Sequence, residues 1–118
     1  SSDLVGDHDS MNPYEPLTIA AHAVASRQDR PATAIVHDGP DARLVVFRIE
    51  PGQSVAPHTS TSAVILSIMD GSGLVSGAGA ERPVRAGDVV TFDPNERHGM
   101  RALSNAMVVL AVIAPSRR

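Results

Sequence analysis

Two stretches decide how this chain of 118 residues folds: GQSVAPHTSTSAVILSIMDG at 52–71 and GDVVTFDPNERH at 87–98. Each opens on a glycine, which takes φ > 0 without steric cost and so suits a tight turn. In the first, Val64, Leu66 and Ile68 alternate with Ile65, Ser67 and Met69, the period of a strand with one face toward a core. Asp70-Gly71 then reads as a hairpin signal. In the second, Val89–Phe92 is a short β-rich run held between two turn sequences, Ala86-Gly87-Asp88 and Asp93-Pro94-Asn95-Glu96. Each stretch also carries one histidine, His58 or His98.

The same rhythm extends outward. Thr33–His37 reads as a strand closed by Asp38-Gly39-Pro40-Asp41. Arg43–Glu50 is a strand with Val45, Phe47 and Ile49 on one face, ended by Pro51-Gly52-Gln53. Leu74–Ser76 and Glu81–Val84 flank Gly77-Ala78-Gly79. His98–Leu103 and Met107–Ala114 form a last pair joined through Ser104-Asn105. Eight to ten short strands and no long helix predict an all-β antiparallel barrel or sandwich. Residues 17–26, LTIAAHAVAS, suit a strand or a helical turn equally. Residues 1–16 are polar, acidic and broken by prolines, and predict a flexible lead-in to one barrel domain over 17–118.

Composition narrows the function classes. Apolar residues make up 42% of the chain, with two Phe, one Tyr and no Trp, so the core must be aliphatic. A net charge of −3 with both signs dispersed gives no basic face for nucleic acid, and too few aromatics to stack bases. With no cysteine there is no disulfide, thiolate ligand or thiol nucleophile. No run approaches the roughly 18 apolar residues of a membrane-spanning helix. No basic region followed by an apolar run marks a signal peptide, so the expected location is the cytoplasm.

The glycine and turn framework resembles the two motifs of the cupins. In the first motif a glycine, five residues and a histidine match Gly52 to His58; a second histidine, a glutamate and a closing glycine then fall on Ser60, Val64 and Gly71. In the second motif the glycine and the histidine match Gly87 and His98; the proline comes one place late as Pro94, the second glycine is Asn95, and the final asparagine is Ala102. The resemblance spans roughly residues 33–114 and implies an antiparallel double-stranded β-helix, or jelly-roll barrel. It also implies that His58 and His98 face the barrel mouth, with Ser60, Val64 and Met100 around the pocket. Met100 suits a pocket wall and ordinary core packing equally well.

The departures matter chemically. Neutral imidazole is the commonest metal ligand, yet first-row metals usually take three or four protein ligands. Two histidines alone predict a weak site for zinc, iron, manganese or nickel, or none. Gln53, Ser60 and Thr61 are poor ligands, and Glu96 is expected on a turn facing solvent. Val64 puts an apolar group where a carboxylate would offset the metal's charge. Three readings of His58 and His98 stand open: a loosely held divalent metal, direct binding of a polar or anionic small molecule, or hydrogen-bonded residues with no ligand. The catalytic residues are unknown. His22 and His37 lack motif context, and Arg48, Arg82, Arg85, Arg97 and Arg101 are expected on solvated faces.

The favoured function is therefore a small-molecule-binding or metal-binding module, the alternative being a metal-dependent cupin enzyme of the dioxygenase or isomerase type. A homodimer is expected, because Val108–Ile113 is apolar on both faces and one face needs a cover. The candidate cover is Leu17–Val24, either crossing to a neighbour's sheet or folding back over its own.

Overall fold

Alternation of small aliphatic residues along two long strands builds the barrel. The structure is a computed structural model that describes residues 11–116. A short helix, α1 (Pro16–His22), precedes seven strands: β1 (Ala32–Asp38), β2 (Arg43–Ile49), β3 (Ser54–His58), β4 (Ala63–Gly77), β5 (Ala80–Arg85), β6 (Val89–Phe92) and β7 (His98–Ala114). Every pairing is antiparallel. The expected lead-in over 1–16 falls largely on residues 1–10, outside the described residues; 11–15 are exposed coil.

β4 and β7 pair with each other along most of their length, and each serves two sheets. The first half of β4 and the second half of β7 sit in the order β1-β2-β7-β4-β6; their other halves sit in the order β3-β7-β4-β5. This is the antiparallel double-stranded β-helix that the resemblance implies, and it settles the barrel-or-sandwich choice that turn spacing left open.

Two expected turns are not turns. Asp70-Gly71 lies inside β4, and Ser104-Asn105 lies inside β7; Leu74–Ser76 is the continuation of β4. The strands number seven among the described residues, not eight to ten, because two of them bend instead of reversing. The register slips between Ile68 and Asp70 and again between Gly71 and Gly73. Gly71 has φ +74, and a Cβ there would lie 1.8 Å from the Ala106 carbonyl oxygen. A bulge with a glycine in the left-handed region kinks a strand without ending it, and here it carries β4 from one sheet to the other.

The interior is laid in rungs that follow the register. Val45, Ala111, Leu66 and Val90 form one rung; Phe47, Val109 and Ile68 form the next. Ile49, Val64, Leu66, Ile68, Met107, Val109 and Ala111 are buried together in this core. Each fully buried aliphatic side chain stabilises by about 1.5–3 kcal/mol.

The outer face of the β2–β7 sheet is covered by the chain's own N-terminal segment. Ala20 of α1 is buried with Val46 and Val108, and Ile19, Val36, Met69 and Leu110 pack around them. Within 17–26, residues 17–22 thus form a helix, not a strand, and it packs on the outer face of its own barrel. Proline at the first turn suits a helix start. Arg48 is half-buried, not on a solvated face: its Nη1 donates to the carbonyls of Ala20 and Ala23, the latter at 2.9 Å, which satisfies the end of the helix. Among the described residues no helix is long and apolar enough to cross a membrane.

Candidate functional site

The last residue of β3 and the first of β7 meet at one end of the barrel. They are His58 and His98, direct partners in the ladder, with ring centroids 4.3 Å apart and planes inclined by 59°. The loops that deliver them are tied together. Asn95 adopts φ +70, the left-handed conformation that the motif glycine would supply, and its N–H donates to the Ser60 carbonyl at 2.6 Å. Gly99 seats β7 closely against its neighbours: a Cβ there would come within 3.0 Å of Val55 O, Pro57 N and Ser76 Oγ.

Both rings are oriented in the same way. Nδ1 of His58 lies 3.1 Å from the carbonyl oxygen of Ala56, and Nδ1 of His98 lies 3.1 Å from that of Glu96. A carbonyl only accepts, so each Nδ1 carries the hydrogen; in the neutral ring Nε2 then presents its lone pair. His98 is buried, with the Phe92 ring 5.1 Å away. Burial pushes its pKa below the ordinary histidine value, outweighing the Glu96 carbonyl, which favours the charged form, while the nearby His58 lowers it a little further. His98 is therefore neutral at pH 7. His58 is exposed.

The rings open onto a cavity of about 250 Å³. Val55, Val64, Leu66, Met100, Ala111 and Ile113 make its apolar wall; Thr59 and Ser60 bring hydroxyls to it. Val64 and Met100 belong at once to this wall and to the buried core, so the two readings of Met100 merge. Phe47 packs on the core and also lines the cavity. Ser60 Oγ accepts from the Ser62 N–H at 3.1 Å. Gln53 is engaged elsewhere, donating to the Gln28 carbonyl and accepting from the Glu50 N–H. Glu96 is exposed and accepts from the Asp93 N–H. Arg101 is on the opposite face from His98, paired with Glu81.

Sequence reasoning missed several lining residues, among them Val55, Thr59, Ile113 and the charged Arg43. Arg43, at the start of β2, lines the cavity. It pairs across the ladder with Ile113, which pairs with Val64, which pairs with Phe92, so the four share one interior rung. The signal that could have found it is the inward alternation Arg43, Val45, Phe47, Ile49.

These residues do not make the metal centre usual in barrels with this motif pair. Among the described residues there is no group of three or more His, Cys, Asp or Glu placed to hold an ion. The motif's carboxylate position is the buried Val64, so two imidazole nitrogens stand without a charged ligand to complete a three- or four-ligand set.

The sequence matches the Cupin domain family over residues 45–114. Nothing among curated proteins matches it. Among solved structures, an RmlC-like cupin protein from Desulfovibrio desulfuricans is similar at 29% identity, TM-score 0.71, over 80% of this chain and 91% of that one. A predicted oxalate decarboxylase from Thermotoga maritima is 27% identical, TM-score 0.69, over 73% and 81%. An uncharacterized conserved protein with a double-stranded beta-helix domain from Klebsiella pneumoniae subsp. pneumoniae MGH 78578 shares the fold at 23% identity, TM-score 0.73, over 81% and 86%.

Proposed function

The chain belongs to the Cupin domain family, and from that premise we propose that its barrel is a binding cavity for a small molecule held through His58 and His98. The observation that supports this most is the pair of imidazoles, each held by Nδ1 on a backbone carbonyl, that line one largely apolar cavity. Concave apolar walls with a few convergent polar groups are what small-molecule sites are made of. The test is thermal-shift screening of small polar metabolites on the wild type and on the His58→Ala/His98→Ala double variant. Stabilisation by some compounds in the wild type and by none in the double variant is expected. Equal shifts in both proteins overturn the reading.

A second reading is a loosely held divalent metal, favoured by the two open imidazole nitrogens on rings 4.3 Å apart. Elemental analysis of the purified protein tests it, and substoichiometric metal that dialysis removes is the expected result. Activity screening for a metal-dependent enzyme follows only if metal is found.

The proposal extends to assembly as a homodimer in the cytoplasm. Support comes from β1, which is an edge strand with Ile35 61% exposed. Sedimentation at micromolar concentration decides it, a clean monomer being the contrary result.

A further inference from the structure

A cupin-like metal site places a cation against a carboxylate. Here both halves of that arrangement are altered on the same rung. Val64 stands where the carboxylate would be, and two strands away on that rung stands Arg43, a guanidinium ion-paired on one edge with Asp38. Neighbouring strands are about 4.8 Å apart, so the guanidinium-bearing strand lies roughly 10 Å from the Val64 strand along the sheet that lines the cavity. Arg43 donates through Nε to Asp38 Oδ1 at 3.3 Å. That bond leaves Nη1 and Nη2 without a protein hydrogen bond among the described residues, on a side chain that is only 24% exposed. A partly desolvated guanidinium with two open NH2 groups can receive a carboxylate. At the histidine end the Nδ1–H tautomer offers lone pairs, which take a donor such as a hydroxyl. Between the two lie Val64, Leu66 and Ile113.

We propose that the cavity binds a small hydroxylated carboxylate: Arg43 holds the carboxylate, Val64 and Ile113 contact the apolar body, and Nε2 of His58 or His98 accepts from the hydroxyl. The inference rests on the reading of the barrel as a small-molecule cavity, and it names the ligand class. The size agrees, since about 250 Å³ lies below the range of drug-sized sites and suits a compact acid. The site's charge logic is thus the reverse of a metal centre's: the protein supplies the cation and the ligand supplies the anion.

The experiment is a titration of the full chain, followed by NMR, with 3-hydroxybutyrate, 3-hydroxybenzoate and 4-hydroxybenzoate, each against its neutral amide. EDTA is present throughout. At least one acid is expected to bind about tenfold or more tightly than its amide, the usual margin of a charge-assisted hydrogen bond, and to shift the Arg43 Nε–H resonance. In Arg43→Gln that preference disappears; Arg43→Lys restores part of it. Parity of acid and amide in the wild type, or an unchanged acid preference in Arg43→Gln, overturns the inference. If amides and acids bind alike, the cavity reading survives alone. If no compound perturbs the residues lining the cavity at millimolar concentration, the inference falls, and the thermal-shift screen then judges the cavity reading separately. The wild-type acid–amide comparison and the Arg43 resonance stand even if Arg43→Gln fails to fold.

Discussion

The two ends of the barrel follow opposite rules. At one end β4 and β7 bend past each other with no space to spare: a Cβ on Gly71 or Gly73 would lie within 2.5 Å of a backbone oxygen of β7. Elsewhere the same two strands, still paired, form part of the wall of a cavity of about 250 Å³ carrying two imidazoles and a guanidinium. The closed end holds shape and can tolerate no added atom. The open end holds chemistry and is packed loosely enough to admit one. Substitutions at the first should therefore cost stability, and those at the second should cost binding.

The sharpest way to break this contrast is at the glycines. Gly71 and Gly79 share φ +74, but a Cβ at Gly79 meets nothing within 4 Å. Gly79→Ala isolates the conformational cost, about 1–2 kcal/mol. Gly71→Ala adds the collision with Ala106 and is expected to cost about 3–5 kcal/mol. Urea denaturation measures both, and similar losses would show that the close approach at the bend is not what fixes the fold.

Next in size is Val64→Glu, on the rung shared with Arg43. Without metal it buries a carboxylate and should destabilise by about 2 kcal/mol. With zinc it should regain stability through binding to the native state, while the wild type gains little. Equal zinc-induced shifts in the two proteins would remove Val64 from the carboxylate position of the first motif.

Smaller still are the histidines. His98 is buried against Phe92 and bonded to Glu96, so His98→Ala should cost about 1–2 kcal/mol. His58 is exposed, and His58→Ala should stay within about 0.5 kcal/mol. Both should weaken ligand binding. A His58→Ala loss as large as that of His98→Ala would erase the distinction between the exposed and the buried histidine.

The smallest effect expected is on pH. The folded pKa of His98 lies below its ordinary value of 6.5, so the unfolded chain binds the proton more readily. Its contribution to stability is present above pH 6.5 and declines as pH falls toward the folded pKa. Melting curves between neutral pH and pH 5 should show that decline reduced in His98→Ala.

Much of this was legible in the residues. Alternation exposed the inward face of Val64, Leu66 and Ile68, and Gly52 and Gly87 marked real turns with φ +83 and +97. Asp70-Gly71 misled because local chemistry is identical for a hairpin and for a bulge; only the partner strand, 35 residues away at Ala106, distinguishes them. Residues 17–26 were ambiguous because a seven-residue helix is settled by what it covers, here Val46 and Val108, not by its own propensity. Arg43 was passed over because an arginine at a strand end resembles any solvated charge until the rung through Ile113 and Val64 is known.

The double membership of β7 bears on how the chain is made. β2, β3 and β4 all pair with it, whereas the β1–β2, β4–β5 and β4–β6 ladders do not need it. While a ribosome has delivered only residues up to 97, the emerging polypeptide can form those local ladders but neither complete sheet. Barrel closure must wait for residues 98–114, and the pairing of Ala63 with Ala114 spans most of that wait. Contacts so distant in sequence make closure slow. During synthesis the edges of β2, β3 and β4 that β7 will later occupy stand open to mispairing.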